Sequence, residues 1–232
     1  MIDWHSHVLP QLDDGSSSVD ESLSLLKSLW AQGVKTVIAT PHFYADSHSV
    51  HEFLKKRELS YSSLKSKLTE AMPQIILGAE VCFYPGIGNL ENLKDLCISG
   101  TNLLLLEMPL SQWTEHTVNE VIGLADSGEY TVVLAHVERY IKFQHSGVLE
   151  KMAESGILMQ INASCINRFS TKRKACRMLK NRLVQFVGSD CHNIDTRPPR
   201  IGEASDYIRK KLGEDFVCKL DEFGYEMLNL NS

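Results

Sequence analysis

The chain of 232 residues lacks the marks of a secreted, membrane-spanning or nucleic-acid-binding protein. Its six cysteines (Cys82, Cys97, Cys165, Cys176, Cys191 and Cys218) form no CxxC pair, so free thiols in a reducing compartment are expected rather than a disulfide framework. No basic segment precedes the opening Met1-Ile2-Asp3-Trp4-His5, so no secretory signal is expected and the cytoplasm is the expected location. The longest pure apolar runs, Leu103 to Leu106 among them, fall far short of the roughly 20 residues that cross a bilayer, so no membrane insertion is expected. There is no basic excess: 24 Lys and Arg face 29 Asp and Glu, for a net charge of −5, which argues against nucleic acid as a partner. No Pro-, Gly- or Ser-rich linker, repeat or low-complexity tract divides the chain. With 43% hydrophobic residues, one domain over 1–232 can bury a sizeable core.

What the chain does have is a recurrent pairing of strand-like runs with metal-binding side chains. Ile2-Asp3-Trp4 ends on His5 and His7, which lie two apart and so share a strand face. Lys35 to Ala39 leads to Thr40-Pro41-His42, and Ile75 to Ala79 ends on Glu80. Leu103 to Leu106 ends on Glu107, Thr131 to Ala135 on His136, and Val184 to Gly188 on Asp190 and His192. Any one of these could be an ordinary core or surface residue. All of them at the same end of their strands is a coincidence that one shared site explains.

Between the runs lie amphipathic stretches. Val19 to Gln32 reads as a helix, with Ser18 and Glu21 as a capping box, Gly33 as its stop, and Leu23, Leu26 and Trp30 on one face. Val50 to Ala71 reads as a second helix, opened by Ser49 and Glu52 and closed by Pro73. Shorter helices are expected over Glu91–Cys97, Thr117–Ser127, Gly147–Ser155, Thr171–Asn181, Ile201–Leu212 and Asp215–Leu228, with a further strand over Ile157–Ile161 ending on Asn162. Seven strands alternating with helices predict an α/β fold with a parallel sheet. A distorted (β/α)7-type barrel is expected over an open sheet, because a barrel gathers the carboxyl ends of all its strands on one rim, whereas an open sheet binds at one switch point.

Imidazoles and carboxylates without thiolate suit manganese, iron or zinc. Two or three such cations lower the pKa of bound water, supply hydroxide and clamp the oxygens of a displacement at phosphorus. Asp13 or Asp14, in the loop behind the histidine pair, could complete the site; spacing alone does not choose between them. Arg139 and Arg197 each follow a ligand closely, and a guanidinium fork matches phosphate oxygens.

Together these stretches resemble the PHP (polymerase and histidinol phosphatase) family. Within it they look like the manganese-dependent protein-tyrosine phosphatases of capsule and exopolysaccharide operons, the CpsB/CapC group. The resemblance is carried by Asp3 to Pro10, Leu12 to Gly15, Ala39 to His42, Gly78 to Val81, Leu106-Glu107, Ala135 to Tyr140 and Gly188 to Asn193. It implies a PHP fold and a trinuclear site held by His5, His7, Asp14, His42, Glu80, Glu107, His136, Asp190 and His192, favouring Asp14 over Asp13. It also implies phosphate binding by Arg139 and Arg197, with His42 available to assist protonation of the leaving group. The implied substrate is the phosphotyrosine-bearing tail of a bacterial tyrosine kinase that controls polysaccharide length. Val137 stands where the family usually has proline, which removes a restraint on the loop carrying Arg139, and Cys191 replaces a usually small residue.

Three other readings compete. Cys176 with Arg182, or Cys191 with Arg197, has the Cys-x5-Arg spacing of a cysteine phosphatase. The first pair falls in an expected helix, and the second lacks the glycines and following helix of an anion cradle. A metal phosphatase could instead act on a small phosphomonoester such as histidinol phosphate. A non-catalytic module could bind and sequester the kinase tail.

Overall fold

Strand β1 (Ile2–Ser6) is buried at every position, as parallel strands covered on both faces are. It is one of nine short strands in the computed structural model, which describes residues 1–230; residues 231 and 232 of the expected domain lie outside the described residues. Helix α1 (Val19–Ala31) follows, with the Ser18 hydroxyl accepting from Glu21 N at its start. The capping box there is half formed, because Glu21 accepts from Ser17 and not from Ser18. Its buried face is Ser22, Leu25, Leu26 and Leu29, which corrects the expected stripe of Leu23, Leu26 and Trp30 by about one position.

Beyond two of the expected strands the chain breaks and a second short strand begins. β2 (Thr36–Ala39) stops at Thr40-Pro41, and β3 (His42–Phe43) starts afresh, since proline has no N–H for the ladder. Helix α2 (Val50–Lys65) carries the full Ser49–Glu52 capping box but ends well before the expected Ala71, and residues 66–73 form turns. β4 (Gln74–Leu77) then pairs with β2, while β5 (Glu80–Cys82) pairs with β3. Glu80 therefore begins a strand, contrary to the expectation that it ends one. The break falls at Gly78, where a Cβ would lie 3.3 Å from Ile98 and 3.4 Å from Thr40. The buried Arg57 guanidinium donates to the Gly78 carbonyl at 2.7 Å and secures the bend.

The expected helix over Glu91–Cys97 is only a 3-10 turn at Leu93–Leu96. The remaining elements follow the expected alternation within a few residues: β6 (Leu103–Glu107), α3 (Glu115–Asp126), β7 (Thr131–Leu134), α4 (Val148–Glu154), β8 (Leu158–Asn162), α5 (Ala163–Asn167, unforeseen), α6 (Lys172–Lys180), β9 (Phe186–Gly188), α7 (Ile201–Leu212) and α8 (Glu214–Met227).

All named pairings are parallel. One sheet runs β1-β2-β4 and the other β3-β5-β6-β7-β8-β9. The two interrupted paths join them on one side. On the other, β9 meets β1 through a Ser6–Cys191 bridge, with Asp190 N donating to His5 O at 2.8 Å and His7 N to Cys191 O at 2.9 Å. Counted with its breaks, the curled sheet has seven parallel paths, a distorted barrel. Along β6 and β7 successive residues alternate between two apolar clusters. Leu104, Leu106, Val132 and Leu134 join the helix-side core with Leu25, Phe53 and Val121. Leu103, Leu105, Val133 and Ala135 pack with Ile2, Trp4, Ile38 and Phe186, where α8 adds Phe223. Among the described residues no helix is long and apolar enough to cross a membrane.

Candidate metal centre

One rim of the sheet, formed by strand carboxyl ends, the starts of β3 and β5 and the loop between β1 and α1, brings all nine expected ligands into one network. His5 Nε2 lies 3.1 Å from His7 Nε2 and 3.1 Å from Glu80 Oε2. His42 Nδ1 lies 3.0 Å from the same Glu80 oxygen, and His136 Nε2 lies 2.7 Å from Glu80 Oε1 and 3.4 Å from Glu107. Asp190 Oδ1 sits 3.6 Å from both His7 Nε2 and His192 Nδ1. Asp14 closes the rim, 3.5 Å from His42 Nε2 and 3.3 Å from His192 Nε2. Three subsets gather ligand atoms within 4.8 Å of one another: His7, Asp14, His42 and His192; His5, His7 and Asp190; His42, Glu80 and Glu107. Bonds of roughly 2 Å place ligand atoms within about 4 Å of one another, so each subset would close slightly around a shared ion.

The orientation of the imidazoles is fixed from behind. His5 Nδ1 faces Gln160 Oε1 at 3.3 Å, His7 Nδ1 faces Asp13 Oδ2 at 2.6 Å, and His192 Nδ1 faces the Asp190 carbonyl at 3.0 Å. Each acceptor draws the ring proton to Nδ1 and turns the Nε2 lone pair into the site. Tyr140 OH does the corresponding job 3.1 Å from His136 Nδ1, and is itself held by the donated Met108 N–H at 2.9 Å. Glu80 Oε2, His42 Nδ1 and His192 Nε2 are buried without any hydrogen-bond partner. Buried polar atoms are normally satisfied, so unpartnered imidazole and carboxylate atoms converging on one centre suit divalent cations.

The charge balance has the same cause. Burial works against a charge on His7, yet Asp13 and Glu80 outweigh it and carry its pKa to about 10. His136 is likewise raised to about 9 against its burial, by Glu107 and Glu80. His192 is lowered to about 4 by burial, with the charges of His7 and Arg197 adding to it, and so is ready as a neutral ligand. Burial opposes the Asp190 charge, but His5, His7, Arg139 and Arg197 together hold its carboxyl down at about 2. Metal binding would exchange the protons on His7 and His136 for cations.

Arg139 and Arg197 bracket Asp190. Arg139 Nη2 donates to Oδ2, and Arg197 Nη2 donates to Oδ1 at 2.8 Å. Both side chains remain about one-third exposed, 35% and 38%, and both line the cavity in front. The loop carrying Arg139 is a 3-10 turn over Val137–Arg139, in which Val137 is fully buried and Arg139 N donates to His136 O at 3.0 Å. Packing and hydrogen bonds thus hold the turn without the usual proline. The Arg197 loop is tied by Asn193 Oδ1, which accepts from the backbone N–H of Asp195, Thr196 and Arg197. Two of the expected ligands take left-handed backbone, His136 with φ 33° and Asp190 with φ 53°, a strain of order 1–3 kcal/mol each. Hydrogen bonds from His136 N to Gln160 Oε1 at 2.6 Å and from Asp190 N to His5 O at 2.8 Å hold them there.

Reading the sequence missed most of the residues behind the expected ligands. Asp13, offered by the sequence as an alternative to Asp14 in the site, acts instead from behind, accepting from His42 N at 3.0 Å as well as facing His7. Asp3 accepts from Ser189 N at 2.7 Å, and Asn162 donates to Asp190 Oδ2 at 2.6 Å. Gln160 and Asn162 sit at the end of β8, the same rim signal in amide form, and Tyr140 closes the His136-Val137-Glu138-Arg139-Tyr140 run. The cysteine reading fails on geometry: Cys176 lies within α6, and Cys191 is fully buried with its thiol pushed well above the ordinary range by burial.

Comparisons with known proteins agree with this architecture. A family profile described as "Capsular polysaccharide synthesis, CpsB/CapC" matches residues 1–222. The tyrosine-protein phosphatase CpsB of Streptococcus agalactiae serotype III is 30% identical over 235 residues, covering 95% of this chain and 94% of its own. A chain from the crystal structures of YwqE from Bacillus subtilis and CpsB from Streptococcus pneumoniae, described as unique metal-dependent tyrosine phosphatases, superposes with a TM-score of 0.85 at 25% identity, covering 100% of this chain and 96% of that one. Histidinol phosphate phosphatase from Lactococcus lactis shares the fold alone, with a TM-score of 0.54 at 14% identity, covering 90% of this chain and 92% of that one.

Proposed function

The chain belongs to the capsular polysaccharide synthesis CpsB/CapC family, and from that premise we propose that it is a metal-dependent protein-tyrosine phosphatase. Its substrate is the phosphotyrosine-bearing tail of a bacterial tyrosine kinase of the polysaccharide co-polymerase type, met in the cytoplasm. The observation that carries the reading is the set of imidazoles held at Nδ1 by Gln160, Asp13, Tyr140 and the Asp190 carbonyl, with their Nε2 atoms turned toward Glu80, Asp190 and Asp14.

His5, His7, Asp14, His42, Glu80, Glu107, His136, Asp190 and His192 hold two or three divalent cations, manganese first, with iron or zinc able to take the same donors. When bound, such cations supply hydroxide at neutral pH and stabilise charge at phosphorus. Arg139 and Arg197 bind and orient the phosphoryl oxygens, where charge gathers during transfer. Their contacts with Asp190 hold the two guanidinium groups side by side before the phosphate arrives. His42, half-buried and flanked by Glu80 and Asp14, can hold a proton for the departing oxygen. A phenolate with a pKa near 10 needs little such help.

Family membership favours this substrate over histidinol phosphate, because the histidinol phosphatase shares only the fold. The test is kcat/KM on a phosphotyrosyl peptide against histidinol phosphate, with Mn²⁺ present. The expected result is a strong preference for the peptide; preference for histidinol phosphate overturns the substrate assignment. Tight peptide binding with no phosphate release would instead mark a sequestering module.

A further inference from the structure

The cations of this acidic chain are unevenly placed. Residues 156–189 hold Arg168, Lys172, Arg173, Lys174, Arg177, Lys180 and Arg182 with no aspartate or glutamate, although the whole chain carries −5. The arginine ion pairs among the described residues involve Arg139, Arg197, Arg200 and Arg209, and none involves these seven. A cluster of like charges without counter-ions repels itself and attracts anions.

Two members adjoin the metal centre. Arg168, at the end of α5, and Lys174, in α6, are both exposed. Arg139, Ser164 and Arg168 line two neighbouring cavities of about 550 and 740 Å³. The first reaches Asp190 and Arg197; the second continues past Lys142 to Lys174. Of the acids along this path, Asp190 is bracketed by arginines and Glu138 is half-buried, its carboxylate accepting from Asn162 N at 3.3 Å. Asp195 alone is exposed, on the Arg197 side. The trough leading away from the phosphate end is therefore cationic along Arg168, Lys142 and Lys174.

We propose that Arg168 and Lys174, with Lys142, form a second anion subsite that engages an acidic side chain of the substrate polypeptide a few residues from its phosphotyrosine. The inference rests on the phosphatase reading above and adds a specificity determinant to it. The subsite binds and does not touch the reacting phosphorus, so its effect falls on KM and not on kcat. Being solvent-exposed, it weakens as salt rises.

The test uses two phosphotyrosyl peptides that differ only in having glutamate or glutamine at the flanking positions, with the native protein and an R168Q/K174Q variant. The native protein should prefer the glutamate peptide by about threefold to tenfold in kcat/KM, through KM, with the preference shrinking in added salt. The variant should lose the preference. Equal kcat/KM for the two peptides with the native protein overturns the proposal, as does an undiminished preference in a folded variant. If the variant does not fold, the salt dependence of the native preference decides: a salt-insensitive preference overturns the proposal and a screened one supports it. Release of phosphate from neither peptide would sink the phosphatase reading, and fluorescence anisotropy with the same peptides then decides the subsite by the same comparison. Binding of phosphatidylserine vesicles through these residues, with no peptide preference, would assign the patch to a membrane surface and overturn the proposal.

Discussion

At the scale of single residues, the centre depends on carboxylates that serve several imidazoles at once. Glu80 faces His5, His7, His42 and His136 from full burial. Glu80→Gln should lower bound metal and cut kcat/KM by at least about a hundredfold, measured by metal analysis beside phosphate release. Asp13→Asn removes the acceptor that fixes His7 without removing a ligand, so metal affinity should fall by about tenfold to a hundredfold, read by competition with a chelator. Cys191→Ser should keep activity within a few-fold, because the thiol is buried and protonated. The raised pKa values of His7, about 10, and His136, about 9, mean that the metal-free fold binds these protons more tightly than the unfolded chain does and is stabilised by them. That contribution is complete below the ordinary histidine pKa of about 6.5 and is lost as pH rises toward 9 and 10. The Tm of the metal-free protein should therefore drop across that window, while the metal-loaded protein, whose histidines hold cations in place of protons, should not show this loss. Eight of the nine expected ligands were legible in sequence because each closely follows an apolar run, whereas Asp14, in a turn loop, came only from the family resemblance. The roles of Gln160, Asp13 and Tyr140 were not legible, because an amide, a turn aspartate and a phenol have strong ordinary explanations until a histidine is seen against them.

At the scale of elements, the fold works by letting strands stop short. Pro41 and Gly78 break two paths so that His42 and Glu80 start new strands and turn into the centre. Periodicity could not show this, because a broken strand and a continuous one have the same apolar pattern. The overlong expectation for α2 has a related origin: residues 66–71 are helix-tolerant in composition, and only the turns that deliver the chain to β4 end the helix at Lys65. The closure between β9 and β1 is equally demanding. A Cβ on Gly188 would lie 2.5 Å from His5 Cβ and 2.9 Å from His5 N, so Gly188→Ala must push the two strands apart. The expected cost is about 3 kcal/mol in chemical denaturation, together with weaker metal binding, since His5 rides on the displaced strand.

At the scale of the whole molecule, alternating strands and helices were enough to give a parallel α/β barrel. The rim argument then gave the site's location before any coordinates, because only one end of such a barrel collects the carboxyl ends of every strand. The uneven charge was also open to view in sequence, but its meaning required seeing that Arg168 and Lys174 open onto the same trough as Arg139. The most direct measurement is phosphate release from a phosphotyrosyl peptide by protein stripped with EDTA, then titrated with Mn²⁺, Fe²⁺ or Zn²⁺ while bound metal is counted. The expected result is no turnover in the stripped protein and recovery as two to three equivalents bind. Full turnover by protein free of metal would contradict a catalytic metal centre at this rim.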